Sequence, residues 1–206
     1  IGHLERYGYQ LTNETEVNLI FALDDVHFDR KRGGVAASED LAGFGRVEPA
    51  STFSSFDLFD TLIARRGVEP TSALKRLRET YGDLVDRRVE LDDGTRTLPQ
   101  MYAEAGLPEQ MLRDEMAIEL DECIPITRNV ERLADGDLVV SDTYFPREFL
   151  LQLMEVAGIN KNVGLYSSNL DKFHGTAWGR IGRTPVLHVG DNPHSDIKVL
   201  SLIHIS

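Results

Sequence analysis

The chain has 206 residues, with 34 Asp plus Glu against 22 Lys plus Arg and a formal net charge of −12. That length holds one globular domain with its own core, and a hydrophobic fraction of 41% beside 27% charged residues excludes a fibrous or disordered chain. The acidic balance argues against non-specific binding to nucleic acid or to an anionic membrane, because both attract cations.

Cys123 is the only cysteine, so no intrachain disulfide and no cysteine-based zinc site can form. No apolar run approaches the roughly 18–20 residues that cross a bilayer, and no signal peptide is visible. The cytoplasm is the expected location.

The first predicted element is a helix. Asn13 stands as its cap with Glu16 at the capping-box position, Val17, Ile20, Phe21 and Phe28 fall near one face, and Gly33-Gly34 ends the run. The stretch from Gly33 to Ser51 is rich in Gly, Ala and Ser and reads as a linker. Residues 1–50 are therefore expected to be an appendage, the tail of an upstream segment. Asp24-Asp25 reads as part of its helix and not as a metal site.

Residues 51–206 read as the main unit. Thr52–Phe59 is a buried strand ending in acidic residues. A mostly helical block follows, with helices over Pro70–Gly82 and Pro108–Cys123, the second carrying Met111, Met116 and Leu120 in phase. The acidic runs Glu90–Asp93 and Asp121–Ile124 read as solvated faces. Then come a strand over Asp137–Asp142, a helix over Pro146–Gly158, a strand over Asn162–Ser168, a helix over Phe173–Ile181, and a strand over Thr184–Asp191. A last helix starts near Pro193. Strands alternating with helices predict an α/β fold with a Rossmann-like parallel sheet, and the helical block at about 66–134 is its inserted α-helical cap. His188 and Trp178 are expected to pack in the core. Residues 200–206, "LSLIHIS", do not continue the last helix and resemble a translated sequencing adapter. The expectation is that they are non-native and that the fold is truncated at its C-terminus.

Ligands of open parallel sheets bind beyond the carboxyl ends of the strands, and the chemically interesting residues fall there. The first strand delivers Asp57, Asp60 and Thr61, and the second Ser141 and Asp142. The third is followed by Ser167, Ser168 and Lys172, and the fourth by Asp191, Asn192 and Asp196. A carboxylate can attack phosphorus and form an acyl phosphate, but two anions then meet and a cation is needed. Mg²⁺ suits such a site, since it takes a few carboxylates together with water and substrate oxygens. Asp57, Asp191 and the backbone carbonyl of Phe59 could supply its ligands, with Asp196 and Asn192 completing or orienting the shell. Ser141, with Thr61 as a further candidate, would hydrogen-bond phosphoryl oxygens. Lys172 would neutralise charge and restrain the nucleophile. Asp142 is expected to support its loop.

These residues resemble the four motifs of the haloacid dehalogenase (HAD) superfamily: Asp-x-Asp-x-Thr, a Ser or Thr, a Lys, and an acidic pair. Asp57, Ser141, Lys172 and Gly190-Asp191 with Asp196 stand where those motifs would fall, and the resemblance runs from about Thr52 to Val199. More narrowly, "SFDLFDTLIARR", "SDTYFP" and "HVGDNPHSD" are similar to a predicted-hydrolase subgroup that often accompanies glycosyltransferases of bacterial surface-polysaccharide systems. The resemblance implies a HAD-like core with a C1-type cap. It implies Mg²⁺-dependent hydrolysis of a small phosphorylated substrate, such as a sugar phosphate, through an aspartyl phosphate on Asp57. A fused or neighbouring glycosyltransferase and a further strand after the last helix are also implied.

One position departs from the pattern. Phosphatases of the family carry a second Asp as general acid and base where this chain has Phe59. Losing such a group typically costs about 10²–10⁴ in rate. Dehalogenases also carry an aromatic there, because halide leaves without a proton. Asp60 could transfer protons if its loop turns it inward; otherwise it closes the loop structurally. The alternatives are thus dehalogenase-type C–X hydrolysis, a non-catalytic module that binds Mg²⁺ or a phosphorylated ligand for a glycosyltransferase system, and an inactive fragment.

Overall fold

The computed structural model describes residues 9–14, 19–23, 52–67 and 71–192. The chain begins with strands β1 (Tyr9–Glu14), β2 (Leu19–Leu23), β3 (Ser54–Phe56) and β4 (Ile63–Arg65). Helices α1 (Ser72–Tyr81), α2 (Leu84–Val89), α3 (Leu98–Ala105) and α4 (Glu109–Glu122) follow, then β5 (Cys123–Pro125) and α5 (Thr127–Val130). The remainder alternates: β6 (Leu138–Asp142), α6 (Arg147–Val156), β7 (Gly164–Ser168), α7 (Asp171–His174), α8 (Thr176–Ile181) and β8 (Leu187–Gly190).

The main sheet has the order β1-β2-β8-β3-β6-β7, and β8, β3, β6 and β7 run parallel. This is the mixed α/β, Rossmann-like arrangement the alternating pattern predicts. Strands β6 and β7 are apolar on both sides because both of their faces are covered. Phe56, Val139, Leu165 and Val189 face one cluster with Phe149, Leu150 and Leu153 of α6. Leu138, Val140 and Tyr166 face the other, with Ala177, Trp178 and Ile181 of α8. Trp178 meets the His188 ring edge-on at 5.6 Å, and His188 Nδ1 lies 2.7 Å from Ser55 Oγ, so both are core residues as expected.

The N-terminal segment departs from the helical expectation. Asn13 lies in β1 opposite Ile20, and Phe21 lies in β2 between Leu11 and His188. The two strands form an antiparallel hairpin that pairs with β8 and so shares the main sheet. A short apolar run does not declare its period. Here the exposed edge of β8 decides, because it offers unpaired backbone groups to any strand that can reach it. Val17, Phe28, Asp24-Asp25, the linker, the last helix and residues 200–206 lie outside the described residues.

Between β3 and β6 the chain makes a helical excursion. Strands β4 and β5 pair antiparallel, Ile63 with Pro125 and Arg65 with Cys123, and form a two-stranded neck around α1–α4. Thr97 and Gln100 close a capping box at the start of α3, whose first turn carries a proline. Cys123 is buried in the neck, and burial pushes its thiol up to about 11, so it is not a reactive thiolate at neutral pH.

Helix α4 is not the simple apolar stripe its methionines suggest. Met111 is fully buried, whereas Met116 and Leu120 are only partly covered. Glu115, Glu119 and Glu122 are buried instead. Arg88 pairs with Glu115, Arg65 with Glu119 and Arg76 with Glu122. The reading of Asp121–Ile124 as a solvated face is therefore corrected: Asp121 is exposed, but Glu122 is buried and also accepts the Gly67 N–H at 2.7 Å. A carboxylate enters a protein interior only with a partner, and all three of these have an arginine.

Candidate active site

Strand register brings the predicted residues to one sheet edge. Phe56 of β3 lies beside Val189 of β8 and Val139 of β6, and the Asp57 N–H donates to the Val189 carbonyl at 2.9 Å. Ser141 and Asp142 of β6 lie beside Ser167 and Ser168 of β7. Asp57, Ser141 and Asp191 therefore stand at the carboxyl ends of three neighbouring strands, spaced about 4.8 Å apart. From β3 the chain builds outward through β6 and β7, then crosses back to place β8 on the other side of β3. That reversal is the switch point at which open parallel sheets form a ligand crevice, and Asp57 and Asp191 flank it.

Asp57 and Lys172 form an ion pair. Lys172 Nζ lies 2.8 Å from Asp57 Oδ2, and the Leu58 N–H donates to Asp57 Oδ1 at 2.7 Å. The lysine side chain is 2% exposed and that of the aspartate 14%. A lysine so deeply buried keeps its charge only beside an anion, so the two groups hold each other in place. Ser141 is buried within β6. Asp191 is half-buried and Asn192 exposed directly after β8, and Asp196 lies outside the described residues.

The loop after β3 is tightly wound. The N–H groups of Leu62 and Ile63 both donate to the Leu58 carbonyl, and the Asp60 N–H donates to the Ile63 carbonyl at 2.7 Å. This closure forces Asp60 to a φ of 56°, and it is the one non-glycine residue with positive φ among the described residues. Asp tolerates that region better than most residues. Asp60→Gly is accordingly expected to change stability by less than about 1 kcal/mol, whereas Asp60→Val should cost about 1–3 kcal/mol. Urea unfolding of both variants checks this; equal losses would show that the Asp60 side chain, not the backbone, matters.

Phe59 packs against two side chains. Its ring stacks on Phe145 at 6.0 Å between centroids, and the Arg65 guanidinium stands 4.9 Å from its centroid. Arg65 in turn pairs with Glu119 at 2.9 Å. Burial pushes the Glu119 carboxyl above its ordinary range, and Arg65 works against that rise. Thr61 is fully buried; its carbonyl accepts from Asn129 Nδ2 at 2.8 Å, while its Oγ1 is enclosed without a partner among the described residues.

The helical excursion reaches this edge. The Arg88 guanidinium lies 4.4 Å over the Tyr144 ring, and the Leu98 N–H donates to the Tyr144 carbonyl at 2.7 Å. Burial pushes the Tyr144 phenol up to about 12, with Arg88 pulling the other way. A Cβ on Gly94 would stand 3.0 Å from a Leu170 methyl, so the loop after α2 touches the loop after β7. Sequence reading does not single out Arg65, Arg88, Tyr144 or Phe145. Their partners are remote in the chain, and no local period marks them.

Among the described residues, no group of three or more His, Cys, Asp or Glu stands together as a metal cluster. Mg²⁺ does not require one. It takes oxygen ligands together with water and substrate oxygens, and Asp57 and Asp191 put two carboxylates of that kind at adjoining strand ends. The fold and this edge define an α/β protein with a carboxylate–lysine pair at the switch point of a parallel sheet. No protein-family model matches the chain, and no curated protein matches it.

Proposed function

We propose that the chain is a HAD-like hydrolase that cleaves phosphate esters, with Asp57 as nucleophile and Mg²⁺ as cofactor. The Asp57–Lys172 pair carries this reading: a largely buried carboxylate is held by a buried ammonium at the switch point, with Ser141 and Asp191 at the strand ends on either side. In the proposed reaction a carboxylate oxygen of Asp57 bonds to phosphorus, and the P–O bond to the ester oxygen breaks. Water then attacks the acyl phosphate, releasing inorganic phosphate and restoring the carboxylate, and the proton the water loses balances the one the departing ester oxygen takes up from solvent. Ser141 and loop N–H groups would hold the phosphoryl oxygens, and Lys172 would offset their charge. Asp57, Asp191 and the Phe59 carbonyl, with Asp196 and Asn192, would hold the Mg²⁺, which supplies positive charge to the phosphoryl group.

The excursion α1–α4, resting on the loops after β6 and β7, is the part suited to choose the substrate. The subgroup resemblance favours a sugar phosphate and a glycosyltransferase as fused or neighbouring partner. No helix among the described residues is long and apolar enough to cross a membrane; the cytoplasm is the proposed location. The test is phosphate release by the full chain from a panel of phosphoesters. Turnover should need Mg²⁺, stop with EDTA, and fall at least about 10³-fold in Asp57→Asn. No release across the panel overturns phosphate-ester hydrolysis.

Phe59 favours a second reading. With an aromatic packed where an acid would stand, the site suits a reaction whose leaving group needs no proton, as in C–X hydrolysis, or a module that only binds Mg²⁺ or a phosphorylated ligand. Halide release from 2-haloacids supports the first, and metal binding without turnover on either panel supports the second.

A further inference from the structure

We infer that Asp142 is a positioning residue whose carboxylate anchors the start of α7 to the ends of β6 and β7 and thereby sets the Lys172 ammonium on Asp57. Asp142 Oδ1 accepts from Ser168 Oγ at 2.6 Å and from the Lys172 N–H at 2.9 Å, and Oδ2 accepts from the Phe173 N–H at 2.7 Å. Ser168 Oγ also accepts the Asp171 N–H at 3.1 Å. Three successive N–H groups at the start of α7 are thus taken up by two side chains from neighbouring strand ends. A helix of this length cannot satisfy its own first N–H groups, so its position follows whatever accepts them. The Thr143 N–H donates to the Ser168 carbonyl at 2.7 Å and ties the same two strand ends together.

The chemistry of the acceptor matters. A carboxylate only accepts, with room for all three donors, whereas an amide would turn an N–H₂ toward one of them. Lys172 carries a flexible four-carbon stem, so with its backbone fixed it is the burial of the side chain that confines the ammonium, 2.8 Å from Asp57 Oδ2. Asp142 makes none of these contacts through the ammonium itself, so it acts through Lys172.

The inference rests on the reading of Asp57 and Lys172 as a working pair, but the placement of Lys172 can be measured without turnover. The probe is reductive methylation of the folded full chain with isotopic formaldehyde, read by peptide mass spectrometry. Lys75 and Lys161 are exposed and serve as references; Cys123 is buried, and its protection from a thiol reagent reports that the fold is intact. Lys172 of the unaltered chain should label at least about tenfold more slowly than the references, as its burial beside Asp57 requires. Asp142→Ala should raise Lys172 labelling about tenfold with the references unchanged and Cys123 still protected, and Asp142→Asn should fall between. Ser168→Ala, which removes one link, should raise it less. If Asp142→Ala exposes Cys123, the two milder variants decide. Unchanged Lys172 labelling in the folded variants overturns the inference. On a phosphoester that the unaltered chain hydrolyses, Asp142→Ala should lower kcat about tenfold or more with KM within about twofold, since misplacing a group by an ångström is costly in the chemical step. Absent turnover in the unaltered chain with the labelling pattern intact removes the hydrolase reading and leaves the positioning role standing.

Discussion

Glu115→Ala is expected to destabilise the protein by up to about 3–5 kcal/mol, the cost of breaking a buried ion pair by removing one partner. The Arg88 side chain is 0% exposed and its Nη2 lies 2.8 Å from Glu115 Oε1, with Nε 3.2 Å from Oε2. Burial alone would push the Arg88 guanidinium down; Glu115, Tyr144 and Asp92 more than reverse this and hold it above its ordinary value. The same carboxylate accepts the Tyr102 hydroxyl at 2.6 Å. Truncation leaves that hydroxyl with the Met111 carbonyl at 3.5 Å and leaves the guanidinium with Asp92 at 3.0 Å and the Tyr144 face. Replacing the pair together, Arg88→Met with Glu115→Leu, should cost less than the single change, because no charge is then left unsolvated. Urea midpoints at constant slope check both claims. A loss under about 1 kcal/mol for Glu115→Ala would show that water reaches Arg88.

The second large effect concerns the leaving group. If the chain hydrolyses phosphate esters, an aryl phosphate whose phenolate departs unaided should turn over about 10²–10⁴ faster than an alkyl phosphate, which needs a proton at the ester oxygen. The reason is Phe59, packed against Phe145 and Arg65 at the position where the proposed HAD-like reading would put a proton donor. Asp60 is turned into a left-handed conformation by its own loop, so its backbone closes that loop whatever its side chain does. Phe59→Asp should narrow the ratio by less than the full factor. The new carboxylate would stand beside the Arg65 guanidinium, which favours its ionised form and opposes proton donation. Equal rates on the two ester types in the unaltered chain would mean that another group donates the proton.

Much of the sheet was legible because its signals are local. Leu138–Asp142 and Gly164–Ser168 are apolar runs bounded by turn residues, and both became strands at the expected places. The helices over Pro70–Gly82, Pro108–Cys123 and Pro146–Gly158 were equally plain. The hairpin was not, since Leu19–Leu23 is too short to show a period and its strand character comes from the edge of β8. The burial of Glu115, Glu119 and Glu122 was hidden for a related reason. A glutamate looks the same in sequence whether or not an arginine waits for it across the fold.

The amino-acid sequence by itself determined the α/β alternation and which side chains end the strands, because backbone periodicity and turn chemistry act over a few residues. The pairing of Lys172 with Asp57 was expected from the strand ends, but only the tertiary structure decided its 2.8 Å contact, that Asp142 accepts the Lys172 N–H, and that Phe59 stands beside Arg65. The first two of those contacts join residues far apart in the chain, and the third needs the loop after β3 to fold back on itself. Their strength depends on distance and exclusion of water, and neither quantity exists until the strands are side by side.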